Sequence, residues 1–342
     1  MIEDELREAF ARHEAQAPPL DPLRRAIDGL AARRRRRRTV TRTGAAAVAV
    51  ALALALPVQL WRGGLEVPLP LGVGASTTAA PSGPLNLLLL GLDGSGSVRN
   101  ARTDTIMLVH LPADGSQAYL VSIERDLATD MPGVGTTKIN GVYSRGGVEA
   151  ARDAVQRLTG IRADAVAEVE FSALRSVTDT LGGLPVCLPE PMRSQHTGAL
   201  FPAGCRDYTG DQVQDLMRQR KILLHGGYDR DRVGQRVLLG LAKKAGDRSL
   251  LSDFWVVSQL ARTPGITLHT GDLSLLGLAM RLDRVEAADI VGISQPTFYV
   301  TKIDGVFYEQ LDPAVAPGLF RALRDDTMSA FAQAHPAWVL QE

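Results

Sequence analysis

Leu85-Asn-Leu-Leu-Leu-Leu-Gly-Leu-Asp93 is the stretch on which the fold turns. A short, unbroken apolar run of this kind reads as a strand buried on both faces, closed by a glycine and an acid. Two more apolar runs follow, Thr105–Leu111 and Ala118–Ile123, and the turn Pro112-Ala-Asp-Gly115 between them makes a hairpin. Helical periodicity then appears over Val148–Leu158, a strand over Ala165–Glu170, and a helix over Ser172–Leu181 stopped by Gly182-Gly183. Further helices are expected at about 210–219, 231–244, 250–262 and 273–282, with one late strand near 297–303. Strands and helices alternate with a hairpin among them. The expected fold is a three-layer α/β/α domain around a central mixed β-sheet, over residues 85–335.

Upstream of that domain the chain changes character. Arg33–Arg38 is an unbroken arginine run, with Arg42 just beyond, and residues 44–61 then carry no charge. A bilayer-spanning helix needs roughly 17–25 apolar residues, so 43–61 suffices, with Trp61 as an interfacial anchor. The positive-inside rule puts residues 1–42 in the cytoplasm and the rest outside the cell, as a single-pass membrane protein. A cleaved signal peptide and a buried Ala-rich helix compete with this reading; about 40 residues before the apolar core exceed a usual signal-peptide n-region. Residues 62–84, rich in Gly, Pro, Ser and Thr, read as a linker.

With 45% hydrophobic and 22% charged residues among 342, the main part can bury a core. The net charge of +0 hides the segregated arginines. Aromatic interleaving is absent and the run abuts an apolar helix, which argues against a nucleic-acid partner. Cys187 and Cys205 have 17 residues between them. In a cytosolic chain they would be incidental core thiols; in an exported one a disulfide is expected.

Charged residues gather where the apolar strands end. Asp93 follows the first, Arg102 and Asp104 precede the second, and Arg125 and Asp126 end the third. If the strands are neighbours, these charges share one sheet edge, where ligands of open α/β sheets bind. Paired carboxylates suit a Mg²⁺-like ion, and arginines grip phosphate in bidentate fashion. Each residue alone also has a bland reading, Asp93 as a turn residue and the others as surface or strand-end pairs. A second cluster, Arg218, Arg220 and Lys221, then Asp229-Arg-Asp-Arg-Val-Gly-Gln-Arg236, exceeds what helix capping requires and points to a polyanion.

These residues, with Lys138-Ile-Asn-Gly-Val-Tyr143 and Leu181-Gly-Gly-Leu184, resemble in order and spacing the LytR–CpsA–Psr family over about residues 85–240. The Ala-rich composition and arginine-rich tail resemble its actinobacterial members. The resemblance implies an extracytoplasmic, Mg²⁺-assisted (or Mn²⁺-assisted) phosphotransferase. It would move a glycopolymer from a polyprenyl-pyrophosphate carrier to peptidoglycan through a phosphodiester. Carried over, Asp93 and Asp104 hold the metal, and Arg102, Arg125, Arg218, Arg220 and Arg232 hold the pyrophosphate. Arg236 and Lys138 join that group, with Asp229 positioning the acceptor or ordering an arginine. Arg102 and Arg125 act in catalysis, with Asp126 either a general base or a residue ordering Arg125. The polyprenyl chain would lie in an apolar tunnel between sheet and helices. A pyrophosphatase releasing the carrier and a non-catalytic lipid-binding anchor are the competing functions. Three departures stand out: Glu124 where the family has Pro, Gly234-Gln235-Arg236 where it reads Arg-Arg-Gln, and a long stretch before Asp229.

Overall fold

The computed structural model describes residues 83–93, 101–219, 227–246, 263–271 and 284–340, with 273, 278, 281 and 282. The arginine run, the apolar segment 43–61, nearly all of the linker, Arg220, Lys221 and the helix expected at 250–262 lie outside them. Among the described residues no helix is long and apolar enough to cross a membrane.

The run quoted first forms β1 (Leu85–Asp93), central in a six-stranded sheet with β2 (Arg102–Leu111), β3 (Ala118–Ile123), β6 (Ala165–Glu170), β11 (Ile266–His269) and β12 (Ile290–Ser294). The order is β11-β6-β1-β2-β3-β12. β1–β2, β2–β3 and β6–β11 pair antiparallel, while β1–β6 and β3–β12 pair parallel. The sheet is mixed, as expected.

Strand alternation divides the apolar runs between two faces. Leu85, Leu87 and Leu89, with Met107, Val109 and Leu120, pack against helices α2 (Phe171–Thr180), α3 (Gly210–Arg218) and α4 (Gly227–Ala245). Leu88 and Leu90 face the other way, onto α1 (Tyr143–Thr159). On that same face Leu108, Tyr119 and Val121 meet α5 (Ala316–Arg324) and α6 (Met328–Ala334). Gly147, at φ 66°, kinks α1 near its start, so its regular part begins where the periodicity placed it.

Several elements escaped the sequence reading. They are the hairpin β4 (Ala128–Met131) and β5 (Gly135–Lys138), the edge strands β11 and β12, and β14 (Val306–Leu311), which pairs with β13 (Thr297–Ile303). Helices α5 and α6 also went unread. The Cys187–Cys205 disulfide forms across the hairpin β7 (Leu184–Leu188) and β10 (Gly204–Tyr208), as the exported reading expects. It closes an excursion carrying the two-residue strands β8 (Met192–Arg193) and β9 (Leu200–Phe201).

Candidate active site

The β1–β2 register sets Asp93 opposite Arg102, two residues from Asp104. The register shifts between Gly91 and Leu92, and Gly91 pairs closely with Thr105: a Cβ on Gly91 would lie 2.9 Å from the Thr105 Cβ. Arg125, just past β3, donates through Nη1 to Asp104 Oδ1. The sheet edge thus gathers the strand-end charges.

Asp93, Asp104 and Arg125 line a charged cavity of about 210 Å³ with Arg218 and Arg230. Arg218 comes from the last turn of α3, a helix opened by a Thr209–Gln212 capping box. Gln195 and His196 reach the same cavity from the disulfide-closed excursion, with His196 Nε2 3.2 Å from the Arg218 carbonyl oxygen. Asp215 fastens that excursion to α3 by accepting from Ser194 Oγ at 2.8 Å and Thr197 Oγ1 at 2.6 Å.

Arg230 is 6% exposed, and its Nη2 lies 3.6 Å from Asp231 Oδ1 without a hydrogen bond. Arg125 Nε is likewise buried and lacks a hydrogen-bond partner among the described residues. Orphaned buried guanidinium donors are costly unless an anion meets them. Each has a carboxylate nearby, Asp231 at 3.6 Å for Arg230 and Asp126 at 3.9 Å for Arg125, and both residues line the charged cavity.

Behind these arginines lies Glu124, 3% exposed and folded against Gly227, where a Cβ would sit 2.1 Å from Glu124 Oε1. Burial, then the Asp126 carboxylate, pushes its pKa up to about 7; the Asp126 backbone N–H and the charge of Arg230 act the other way. Burial pushes Asp231 up to about 8, against the pull of Arg230. Glu124 therefore points inward and holds its proton well above the usual carboxylate range.

An apolar cavity adjoins the charged one between the sheet and α2, α3 and α4. Leu89, Val169, Leu174, Val237, Leu241 and Ile266 line it, and Phe171 and Met217 line both cavities.

Not every expected residue reaches the charged cavity. Arg102, Asp126 and Lys138 line a separate polar cleft on the other side of Arg125. Lys138 Nζ lies 3.1 Å from Asp126 Oδ1, and Arg125 Nε 3.9 Å from Asp126 Oδ2. Arg236 lines a third cavity with Pro185, Cys187 and Lys243. Arg232 lies 3.4 Å from Asp229, and neither lines the charged cavity. The cause is helical period. Arg230 shares a face of α4 with Gly234, Val237 and Leu241, whereas 229, 232 and 236 share another. Arg230 was missed because Asp229-Arg-Asp-Arg does not say which arginine faces inward. Gln235, standing where the family has Arg, is fully buried and donates to the Leu120 and Ile293 carbonyls at 3.0 and 2.9 Å. It pins α4 to the sheet. Nothing local flagged Gln195 or His196.

Asp93 and Asp104 are the carboxylates of the charged cavity, and no group of three or more metal-ligating side chains occurs among the described residues. That donor set fits a Mg²⁺ or Mn²⁺ ion that keeps water and phosphate ligands.

The profile of the LytR_cpsA_psr family matches residues 72–315. The chain belongs to the LytR–CpsA–Psr family. Among its relatives, the probable cell wall biosynthesis protein LcpB of Corynebacterium glutamicum is 33% identical over 229 residues, 60% of this chain and 54% of LcpB. The polyisoprenyl-teichoic acid–peptidoglycan teichoic acid transferase TagU of Bacillus cereus is 30% identical over 174 residues, covering 51% and 56%. This LytR–CpsA–Psr chain spans about half the length of the curated relatives it matches. The fold is similar to that of TagT bound to LIIa-WTA, with a TM-score of 0.61 and 23% identity over 77% of this chain and 99% of TagT.

Proposed function

We propose that the chain is a glycopolymer phosphotransferase that takes its donor from a polyprenyl-pyrophosphate carrier and links it to peptidoglycan. The observation that carries this reading is the junction of two cavities: an apolar one lined by α2, α3 and α4, and a charged one lined by Arg125, Arg218 and Arg230, sharing Phe171 and Met217. A ligand with a long apolar tail and a multiply charged head matches that junction. Membrane anchorage through residues 43–61, with the catalytic domain outside the cell, would hold it beside such carriers.

Arg125, Arg218 and Arg230 would bind the pyrophosphate. Asp93 and Asp104 would hold Mg²⁺ or Mn²⁺, which when bound offsets charge on the phosphate oxygens. Phosphoryl transfer needs positioning and charge neutralisation more than covalent help, and fixed arginines supply both. Arg125 donates to Asp104, and Asp126, in the polar cleft beside Arg125, would serve as general base or hold Arg125 in place.

Purified full-length protein, lipid-linked polymer and peptidoglycan test the reading together. Arg230→Ala and Asp104→Asn should each cut transfer about 10²-fold, the usual scale for losing one transition-state donor. Arg236→Ala should stay within a few-fold of the parent chain. Full activity in the first two variants sinks this site, and polymer released free of peptidoglycan points instead to a pyrophosphatase.

A further inference from the structure

Glu124 stands immediately before Arg125, where the family has Pro, a residue with no proton to exchange. Its Oε2 accepts from the Asp126 backbone N–H, and its Oε1 lies close against Gly227 at the start of α4. Residues three and four apart adjoin on a helix, so this carboxyl sits beside the turn that carries Arg230 and Asp231. Other charged and titratable groups surround it. Asp126 comes from the end of β3, Tyr228 from α4, and Glu309 from β14, where it accepts from Tyr228 Oη at 2.6 Å. Lys138 of β5 lies 3.1 Å from Asp126. Glu124, Asp126, Asp231 and Glu309 thus share Arg125, Arg230 and Lys138, and Arg125 also donates to Asp104.

Glu124, Asp126, Asp231 and Arg230 are all buried. A buried cluster with more carboxyls than cations keeps a carboxyl neutral. Burial and the Asp126 carboxylate favour that form for Glu124, whereas the charge of Arg230 favours its anion. Burial does the same for Asp231, and Arg230 again opposes it. Arg230 is therefore the partner both acids share, and it also lines the charged cavity. A phosphate bound there draws on the same guanidinium that would neutralise Glu124 or Asp231. An anion in the cavity favours the protonated acids, and by reciprocity the protonated acids favour the anion.

Resting on the pyrophosphate reading of that cavity, we infer that Glu124 is a positioning residue that couples carrier binding to a proton. Neutral, it leaves Arg230 to the pyrophosphate; ionised, it competes with the pyrophosphate for Arg230. Below the pKa of Glu124 in the free protein, nearly every molecule carries the competent neutral form and Kd is flat. Above it the competent fraction falls about tenfold per pH unit, until the pKa of the bound state is reached. The proton is taken from solvent on binding and returned on release.

Farnesyl-pyrophosphoryl-N-acetylglucosamine, binding to the full-length protein at fixed Mg²⁺, is the probe, because a disubstituted pyrophosphate does not itself titrate near neutral pH. Its Kd should rise about tenfold between about pH 6.5 and 8.5 in the parent chain. Glu124→Gln should match the parent at the lower pH and lose most of the rise. Calorimetry in buffers of different ionisation enthalpy should show about half to one proton taken up per probe bound near pH 8 by the parent, and much less by Glu124→Gln. A Kd that is flat with pH, or no proton uptake by the parent, overturns the coupling while the carrier reading stands. A rise that persists in full in Glu124→Gln overturns it too, and passes the dependence to Asp231 or to His196 in the cavity wall. Absence of binding at every pH sinks the pyrophosphate reading and the coupling with it.

Discussion

Glu124 carries the sharpest consequence of any single residue. Its carboxyl, buried beside Asp126 and Arg230, keeps its proton to about pH 7, against 4.5 for the free side chain. Between those values the folded chain binds more protons than the unfolded one, so stability falls as pH rises from about 4.5 to 7 and stays low above. Asp231, raised to about 8, extends the same decline. Glu124→Gln removes that residue's own share of the decline and should add roughly 2 kcal/mol at pH 8, with little change at pH 5. Denaturant melts across that range test it; parallel curves for the two proteins would show that Glu124 does not titrate as described. The inward charge was legible as a departure from the family's Pro, but its burial against Gly227 was not.

At the level of elements, the disulfide and the excursion it closes act together. Cys187 and Cys205 face each other across β7 and β10, and the loop they close delivers Gln195 and His196 to the charged cavity. A bridge of this loop length contributes on the order of 3 kcal/mol. Cys187→Ser paired with Cys205→Ser should therefore lower Tm measurably, and reducing agent should do the same to the parent chain but not to the variant. Equal melting temperatures with and without reductant would remove the bridge from the stability account. Carrier affinity should fall less than stability, because Asp215 still ties the excursion to α3. The spacing of the cysteines was visible in the chain. Which side chains the loop would present was not, since that depends on how β7–β10 docks beside α3.

For the whole molecule, the C-terminal helices close the core. Leu319, Phe320, Leu323, Met328 and Phe331 cover Leu108, Tyr119, Val121 and Ile293 on the face of the sheet opposite α4. His110, fully buried, ties the same region down, with Nε2 2.9 Å from Asp326 Oδ1. Burying each large apolar side chain contributes about 1.5–3 kcal/mol, so together they rival the net stability of an ordinary domain. Deleting residues 316–342 should give insoluble or molten protein rather than a folded but inactive one. Far- and near-ultraviolet circular dichroism distinguishes these outcomes; a cooperative melt in the truncated chain would show the helices to be dispensable. Whether the region beyond about 250 adds specificity or packs the sheet was open from the chain alone, and its last helices pack the sheet.

The apolar runs at Leu85, Thr105 and Ala118 already carried the mixed sheet, because a strand buried on both faces has little choice of partner. Strand-end charges placed Asp93, Asp104 and Arg125 near one another for the same reason: short connections keep neighbouring strand ends together. The cysteine pair was legible too, once export was assumed. What folding alone settled was allocation. Arg230 rather than Arg232 or Arg236 lines the charged cavity, since a helix divides its side chains by angle and its rotation is set by contacts as distant as Gln235 on Leu120 and Ile293. Arg102, Asp126 and Lys138 fall on the far side of Arg125 because the β4–β5 hairpin and β14, unread in the chain, raise a wall there. Local pattern dictates which residues are buried or charged. Which cavity each charge enters depends on long-range packing.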